Sequence, residues 1–335
     1  MITASDDREK AILHWLTNDL QLNITQFKPA SSDASFRRYF RVHQQQDTYI
    51  VMDAPPDKED TAPFIKVAQL FSQAQVNVPQ IIQQHTEQGF LLLEDFGSEC
   101  LLDKLNEQTA DALYKDALNS LLVLQSNIDI KNCDLPRYDA NLLQLELNLF
   151  SDWFLSQQCN LTLSAAEQAM LTTSNELLIA SALQQVQVCV HRDYHSRNLM
   201  HISINNPGII DFQDAVIGPI TYDAVSLLRD CYISWSDAQI ENSLKPYYQK
   251  LVQAQLITCD YPQFKRDFDL MGIQRHLKAI GIFSRLNIRD GKSGYLKDIP
   301  RTLNYVITIS ANYPELQDFH QFLVNKVLPA SQRAL

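Results

Sequence analysis

Apolar positions recur at helical spacing near the start of the chain, where Ala11, Ile12, Trp15, Leu16 and Leu20 share a face behind Ser5 and Asp6 as caps. The spacing predicts a short amphipathic helix over residues 6–20. From Phe36 to Asp53 the pattern changes to runs rich in Tyr, Phe, Val and Ile, broken by the polar tract Gln44 to Asp47 and ended by Pro55 and Pro56. It predicts a β-hairpin. A helix is expected from Thr61 to Gln75, carrying Phe64, Val67, Ala68, Leu70 and Phe71, and then strands over Pro79–Gln83 and Phe90–Leu93 with a turn around Glu87 and Gly89. Beyond Gly97 the periodicity is almost all helical, over residues 101–128, 139–158, 164–184, 221–257, 262–288 and 314–328. The exception is a strand-loop-strand block from Val186 to Asp211, where Val188, Val190, Ile209 and Ile210 flank a dense polar stretch. These elements predict an α+β, two-lobed chain: a small antiparallel sheet lobe over residues 1–95, a hinge at about 94–98, and a larger, mainly helical lobe over 96–335.

Composition narrows the picture. The chain has 335 residues, 45% of them hydrophobic, enough for a substantial core. Its 39 acidic and 28 basic side chains leave a net charge of −11, which argues against a general nucleic-acid or anionic-membrane binder. A phosphate-bearing ligand must therefore find a local positive site. Only eight glycines occur, and none forms the Gly-x-Gly of a dinucleotide fingerprint. Six scattered cysteines without a Cys-x-x-Cys pair, a polar amino terminus and the absence of an 18-residue apolar run together lead to the expectation of a cytoplasmic protein.

The candidate chemistry is concentrated in His191-Arg-Asp-Tyr-His-Ser-Arg-Asn198, held between apolar strands and followed by Asp211 in Ile-Ile-Asp-Phe. Placing Asp193, Asn198 and Asp211 on neighbouring strand ends supplies what phosphoryl transfer to an alcohol needs: one carboxylate for the substrate proton, and an amide oxygen with a second carboxylate for Mg²⁺ on the nucleotide phosphates. Arg197 is near enough in the motif to steady the transferring phosphate.

His191-x-Asp193-x-x-x-x-Asn198 with Ile210-Asp211-x-x-Asp214 resembles the active-site signature of the aminoglycoside phosphotransferase and choline kinase family, a branch of the protein-kinase-like fold. The resemblance implies Asp193 as catalytic base, Asn198 and Asp211 as Mg²⁺ ligands, His191 as a brace for the loop and Asp214 as a supporting carboxylate. Longer stretches are similar to one subgroup, the anomeric N-acetylmuramate/N-acetylglucosamine kinases of bacterial cell-wall recycling: Ser32–Arg41, Val51–Pro56, Leu92–Gly97, Gly218–Asp223, Gly272–Lys278 and Arg289–Lys292. That likeness implies ATP-dependent phosphorylation of an amino sugar at its anomeric hydroxyl, with neither nucleic acid nor membrane as partner. A kinase for choline, homoserine or an aminoglycoside is the alternative within enzymes. An inactive nucleotide-sensing module is the alternative outside them.

The sequence also departs from the kinase pattern. Met52 stands where a third-strand lysine is usual, and the helix 61–75 has no glutamate for it to pair with. Arg37, Arg38 and Arg41 are candidate substitutes because guanidinium grips phosphate bidentately, with the hydroxyls of Ser32 and Ser35 in the preceding loop. Asp95-Phe96-Gly97 spells the kinase magnesium motif but precedes the catalytic loop; it reads as the hinge, with backbone groups at Glu94 to Phe96 meeting adenine. Gly291-Lys292-Ser293 lacks the earlier glycine of a P-loop. The alternation of His191, Asp193 and His195 would suit a metallohydrolase only with further ligands that the remaining histidines do not supply. On the acceptor side, Glu146 is a candidate for sugar hydroxyls, against a structural pairing with an arginine. Arg275 and Lys278, with Arg285, are candidates for an acidic substrate group, against a solvated basic face.

Overall fold

The computed structural model describes residues 5–32 and 36–335 of the chain. Contacts group the residues into two units, Met1–Lys104 with Asn198–Asp214, and Leu105–Arg197 with Ala215–Leu335. The expected boundary near residue 95 falls inside the first unit. The reason is local pairing: Cys100 bridges Met200 in antiparallel fashion, and the His201 amide donates to the Glu99 carbonyl at 2.8 Å.

In the first unit, helix α1 (Asp7–His14) begins where the Asp6 side chain accepts from the Glu9 amide, and it continues to Asp19 with π-type turns. Five antiparallel strands follow: β1 (Gln26–Ser32), β2 (Arg38–Gln44), β3 (Asp47–Asp53), β4 (Ile81–His85) and β5 (Phe90–Glu94), in the order β1-β2-β3-β5-β4. The predicted hairpin is β2–β3. Strand β1 was not predicted; its polar sequence and Pro29 carry no alternation, and it survives as an edge strand with a bulge after Pro29. Ile12, Trp15 and Leu16 of the first helical segment close over Phe40, Val42, Val51, Phe90 and Leu92, so alternate β2 and β3 side chains form a core. Helix α2 (Ala62–Gln73) buries Phe64 and Phe71.

The second unit is helical around one small ribbon. Strand Gln187–Val190 pairs with Val216–Pro219, which lies beyond the expected strand-loop-strand block. Gly208–Ile209 pairs with Leu199–Met200 in the first unit. The helix expected over 221–257 is two helices, Tyr222–Leu228 and Asp237–Gln253, because Ser236 and Gln239 form a capping box that starts the second. Likewise residues 101–128 hold a short helix, Leu101–Lys104, and a separate one, Ala110–Asn127. Helix Ala140–Leu149 packs against the long helix Tyr261–Asp290. Helix Ile299–Ser310, absent from the sequence expectation, adds Ile299, Leu303 and Val306 to the core. Among the described residues no helix is long and apolar enough to cross a membrane, and all six cysteines are free thiols.

Candidate active site

The loop His191–Arg197 leaves the strand ending at Val190, and two buried carboxylates hold its backbone. Asp223 accepts from the His191 amide at 2.7 Å and from the Arg192 amide at 3.1 Å, which fixes Arg192 in the left-handed region at φ 77°. Asp230 accepts from the Ser196 amide at 2.9 Å, from the Ser196 hydroxyl at 2.5 Å and from the Tyr232 amide at 3.0 Å. The Asp193 amide donates to His191 Nδ1 at 3.2 Å, making His191 a brace within the loop. The loop-holding role of Asp223 depends on a partner 32 residues away, and no local spacing signals it.

Asp193 therefore sits on a loop pinned at both ends. Burial works to raise its pKa, but Lys278 and then the loop histidines and Arg275 outweigh that, and the carboxyl is held below the ordinary aspartate value. Arg197 lies over the Tyr232 ring at 3.6 Å and makes no ion pair within 4 Å among the described residues, so its charge is available to a ligand. His195 stacks edge-on against Tyr232, and burial lowers its pKa. Among the described residues no three His, Cys, Asp or Glu side chains assemble as a metal site, so the His-Asp-His alternation does not build one.

Glu146 is buried and fully engaged. It receives the Tyr138 hydroxyl, Arg192 Nη2 at 2.5 Å, Lys278 Nζ at 3.0 Å and Gln274 Nε2 at 3.3 Å. Burial opposes its ionisation, but Lys278 and Arg192 hold its pKa below the usual value. Lys278 also donates to the Tyr222 hydroxyl at 3.1 Å. The internal pairing considered for Glu146 is thus present, and its oxygens are taken by protein donors. Arg275 and Lys278 do not lie on a solvated basic face: both are buried.

In the first unit, Asn198 Nδ2 donates to Asp211 Oδ2 at 3.1 Å, and Gln213 Nε2 donates to Asp211 Oδ1 at 2.9 Å. Phe212, fully buried, anchors this segment to α2 with its ring 4.8 Å from Phe64 and 5.7 Å from Phe71, while Asp211 takes φ 64°. Amide and carboxylate oxygens are the donors a hard divalent cation takes. Gln213 Oε1 is buried with no partner, and an orphaned oxygen beside a carboxylate fits such an ion. Sequence reasoning passed over Gln213, because a glutamine after Asp-Phe gives no motif signal.

The nucleotide candidates fare unequally. Arg38 grips Asp53 through Nε at 3.0 Å and Nη2 at 2.6 Å and also pairs with Asp6, while Arg8 holds the other Asp53 oxygen at 2.8 Å and 2.5 Å. Arg41 makes a two-pronged pair with Asp95 at 2.6 Å and 2.9 Å and reaches the Gly97 carbonyl at 2.6 Å. Both arginines are held by carboxylates distant in sequence: Arg38 by Asp53 on β3 and by Asp6 before α1, Arg41 by Asp95 just after β5. Arg37 precedes β2 at the end of the β1–β2 connection. Ser35 lies outside the described residues, and Ser32 is the last residue of β1. Met52 is fully buried, so β3 indeed carries no cation there. The exposed Glu94 receives the Gln80 amide at 3.2 Å, and the Phe96 ring lies on Gly208.

Residues 26–254 match the phosphotransferase enzyme family. The N-acetylmuramate/N-acetylglucosamine kinase of Pseudomonas aeruginosa is 46% identical over 298 residues, covering 89% of this chain and 87% of that protein. The protein of the same name from Neisseria meningitidis is 40% identical, covering 89% and 90%. Among solved structures, choline kinase LicA from Streptococcus pneumoniae superposes with a TM-score of 0.63 at 11% identity, covering 91% of this chain and 99% of that one. ADP-bound aminoglycoside phosphotransferase APH(2'')-Ib does so at 0.59 and 18%, covering 88% and 97%; at such identities the likeness is one of fold. A family match across two thirds of the sequence, and relatives this similar along nearly all of it, leave one conclusion: the chain belongs to the phosphotransferase enzyme family.

Proposed function

We propose that the protein transfers the γ-phosphoryl group of ATP to the anomeric hydroxyl of N-acetylmuramate and N-acetylglucosamine, giving the sugar 1-phosphate. The observation that carries this reading is 40–46% identity, over about nine tenths of the chain, to three proteins bearing that kinase name. Structural neighbours solved with ADP or ATP bound support ATP as donor.

Asp193 is the base in this scheme. Held ionised by Lys278 and Arg275, it accepts the hydroxyl proton as the sugar oxygen bonds to the γ-phosphorus and the bond to the β–γ bridging oxygen breaks, releasing ADP. The anomeric hydroxyl is more acidic than an ordinary alcohol, so one carboxylate suffices. Arg197, steadied by Tyr232, meets the charge on the transferring group. Asn198 and Asp211, with the Gln213 amide beside them, would hold Mg²⁺, which neutralises phosphate charge when bound. Arg37 and the backbone at Glu94–Phe96 are the nucleotide contacts in this reading. Because ATP is the donor, we place the protein in the cytoplasm.

An acceptor screen with purified protein and labelled ATP tests the assignment: both amino sugars should be phosphorylated at C1, and choline, homoserine and aminoglycosides should not. Asp193→Ala and Asp211→Ala should each lower kcat by about a thousandfold or more while leaving the thermal transition in place. Near-normal turnover in either variant, or ATP binding with no acceptor phosphorylated, would reject the mechanism.

A further inference from the structure

Three polar residues of the helix Tyr261–Asp290 face the base-bearing loop region, and the donor groups of two of them are spent, while Gln274 Oε1 is buried without a partner. Gln274 and Lys278 both serve Glu146, and Lys278 serves Tyr222 as well. Arg275 differs. It is only 5% exposed, yet its one hydrogen bond is from Nη1 to Cys231 Sγ at 3.6 Å, and among the described residues no carboxylate lies within ion-pairing distance. A thiol is a weak acceptor, so most of the five guanidinium donors are unfilled.

Two carboxylates act on Arg275 electrostatically without an ion pair within 4 Å. Asp230 is one, and its oxygens already serve Ser196 and Tyr232. Asp193 is the other. A buried guanidinium costs free energy unless it is hydrogen-bonded, and a planar carboxylate matches its fork with two parallel bonds. The two proposed sugars differ by such a group: N-acetylmuramate bears a lactyl carboxylate where N-acetylglucosamine has a hydroxyl. Lys278, already neutralised by Glu146, is a poorer reader of that difference.

We propose that Arg275 is the specificity-determining residue that binds the acceptor's carboxylate, an inference that rests on the amino-sugar kinase reading above. A pocket that accepts both sugars needs a cation that tolerates the absence of its anion. Arg275 meets this requirement because Cys231, Asp230 and Asp193 keep it acceptable when the sugar is neutral.

The test compares kcat/KM for the two sugars in wild type, Arg275→Met and Arg275→Lys. It also compares N-acetylmuramate with its methyl ester in the wild type, a measurement that does not depend on any variant folding. The ratio of kcat/KM for N-acetylmuramate over N-acetylglucosamine should fall about ten- to a hundredfold in R275M, the loss expected for a charge-assisted pair. R275K should lose less. The methyl ester should reproduce the drop in wild type, and R275M should not distinguish ester from acid. Equal losses on both sugars would overturn the proposal and make Arg275 a brace for the loop or a phosphate contact. An unchanged ratio, or a wild type indifferent to the ester, would also overturn it. A wild type that phosphorylates neither sugar would instead remove the parent reading, and this inference with it.

Discussion

Asp223 illustrates how a single carboxyl can couple folding to catalytic geometry. It is fully buried, and burial drives its pKa up to about 7 against the two loop amides that pull it down, with Asp193 raising it and Arg275 lowering it further. Between about pH 4, the ordinary aspartate value, and pH 7 the folded protein keeps a proton on this carboxyl that the unfolded chain has lost. Its contribution to stability is therefore complete at low pH and declines as pH rises through that window. Asp223→Asn should abolish this decline, visible as a flatter difference in unfolding free energy between pH 5 and pH 8. An amide offers one acceptor oxygen, so the variant also leaves the His191 or Arg192 amide unpaired, at a cost of about 1–3 kcal/mol, and turnover should fall with it. A wild type and variant with parallel pH profiles would contradict the assignment. At this scale the candidate chemistry is local in the sequence, with Asp193, Asn198 and Asp211 standing at fixed spacing. Long-range engagement was not legible. The pairing of Arg38 with Asp53 and of Arg41 with Asp95 joins residues far apart in sequence.

At the scale of elements, close approach of two helices decides which side chains can meet. Gly281, in the middle of Tyr261–Asp290, faces the backbone of Leu149, where an added Cβ would lie 2.4 Å from the carbonyl carbon. Main-chain atoms cannot swing aside, so Gly281→Ala should push helix Ala140–Leu149 away and destabilise the protein by about 1–3 kcal/mol. The same displacement would loosen Glu146 from Lys278, so a lowered thermal midpoint should accompany a raised KM for sugar. Unchanged values for both would mean that the helix packing is softer than the contact implies. Amphipathic periodicity located most helices, because one apolar face is a local property. It could not see where a cap interrupts a continuous apolar pattern, as at Ser236. It also missed β1, whose residues are polar and whose place is set by pairing with β2. Nor could it assign partners to short strands: Val188 and Val190 pair with Gly218 and Val216, a choice made by tertiary packing.

For the molecule as a whole, the discontinuity of the first unit has a mechanical basis. Residues 198–214 contribute Phe212 between Phe64 and Phe71, and the Ile209 amide donates to the Asn77 carbonyl at 2.8 Å. A fragment ending at Lys104 would expose the α2 aromatics to water. It should show poor thermal cooperativity and bind hydrophobic dye, whereas a fragment carrying 198–214 on a flexible linker should recover a cooperative transition. Equal cooperativity in both would show that Phe212 is dispensable to that core. The threading of the chain also limits how this protein can be recombined. A chimaera that exchanges only the leading hundred residues with a relative would separate Phe212 from the aromatic rings it evolved beside. Viable shuffling of the first unit must therefore carry two cassettes together, one of them lodged deep within the partner's reading frame.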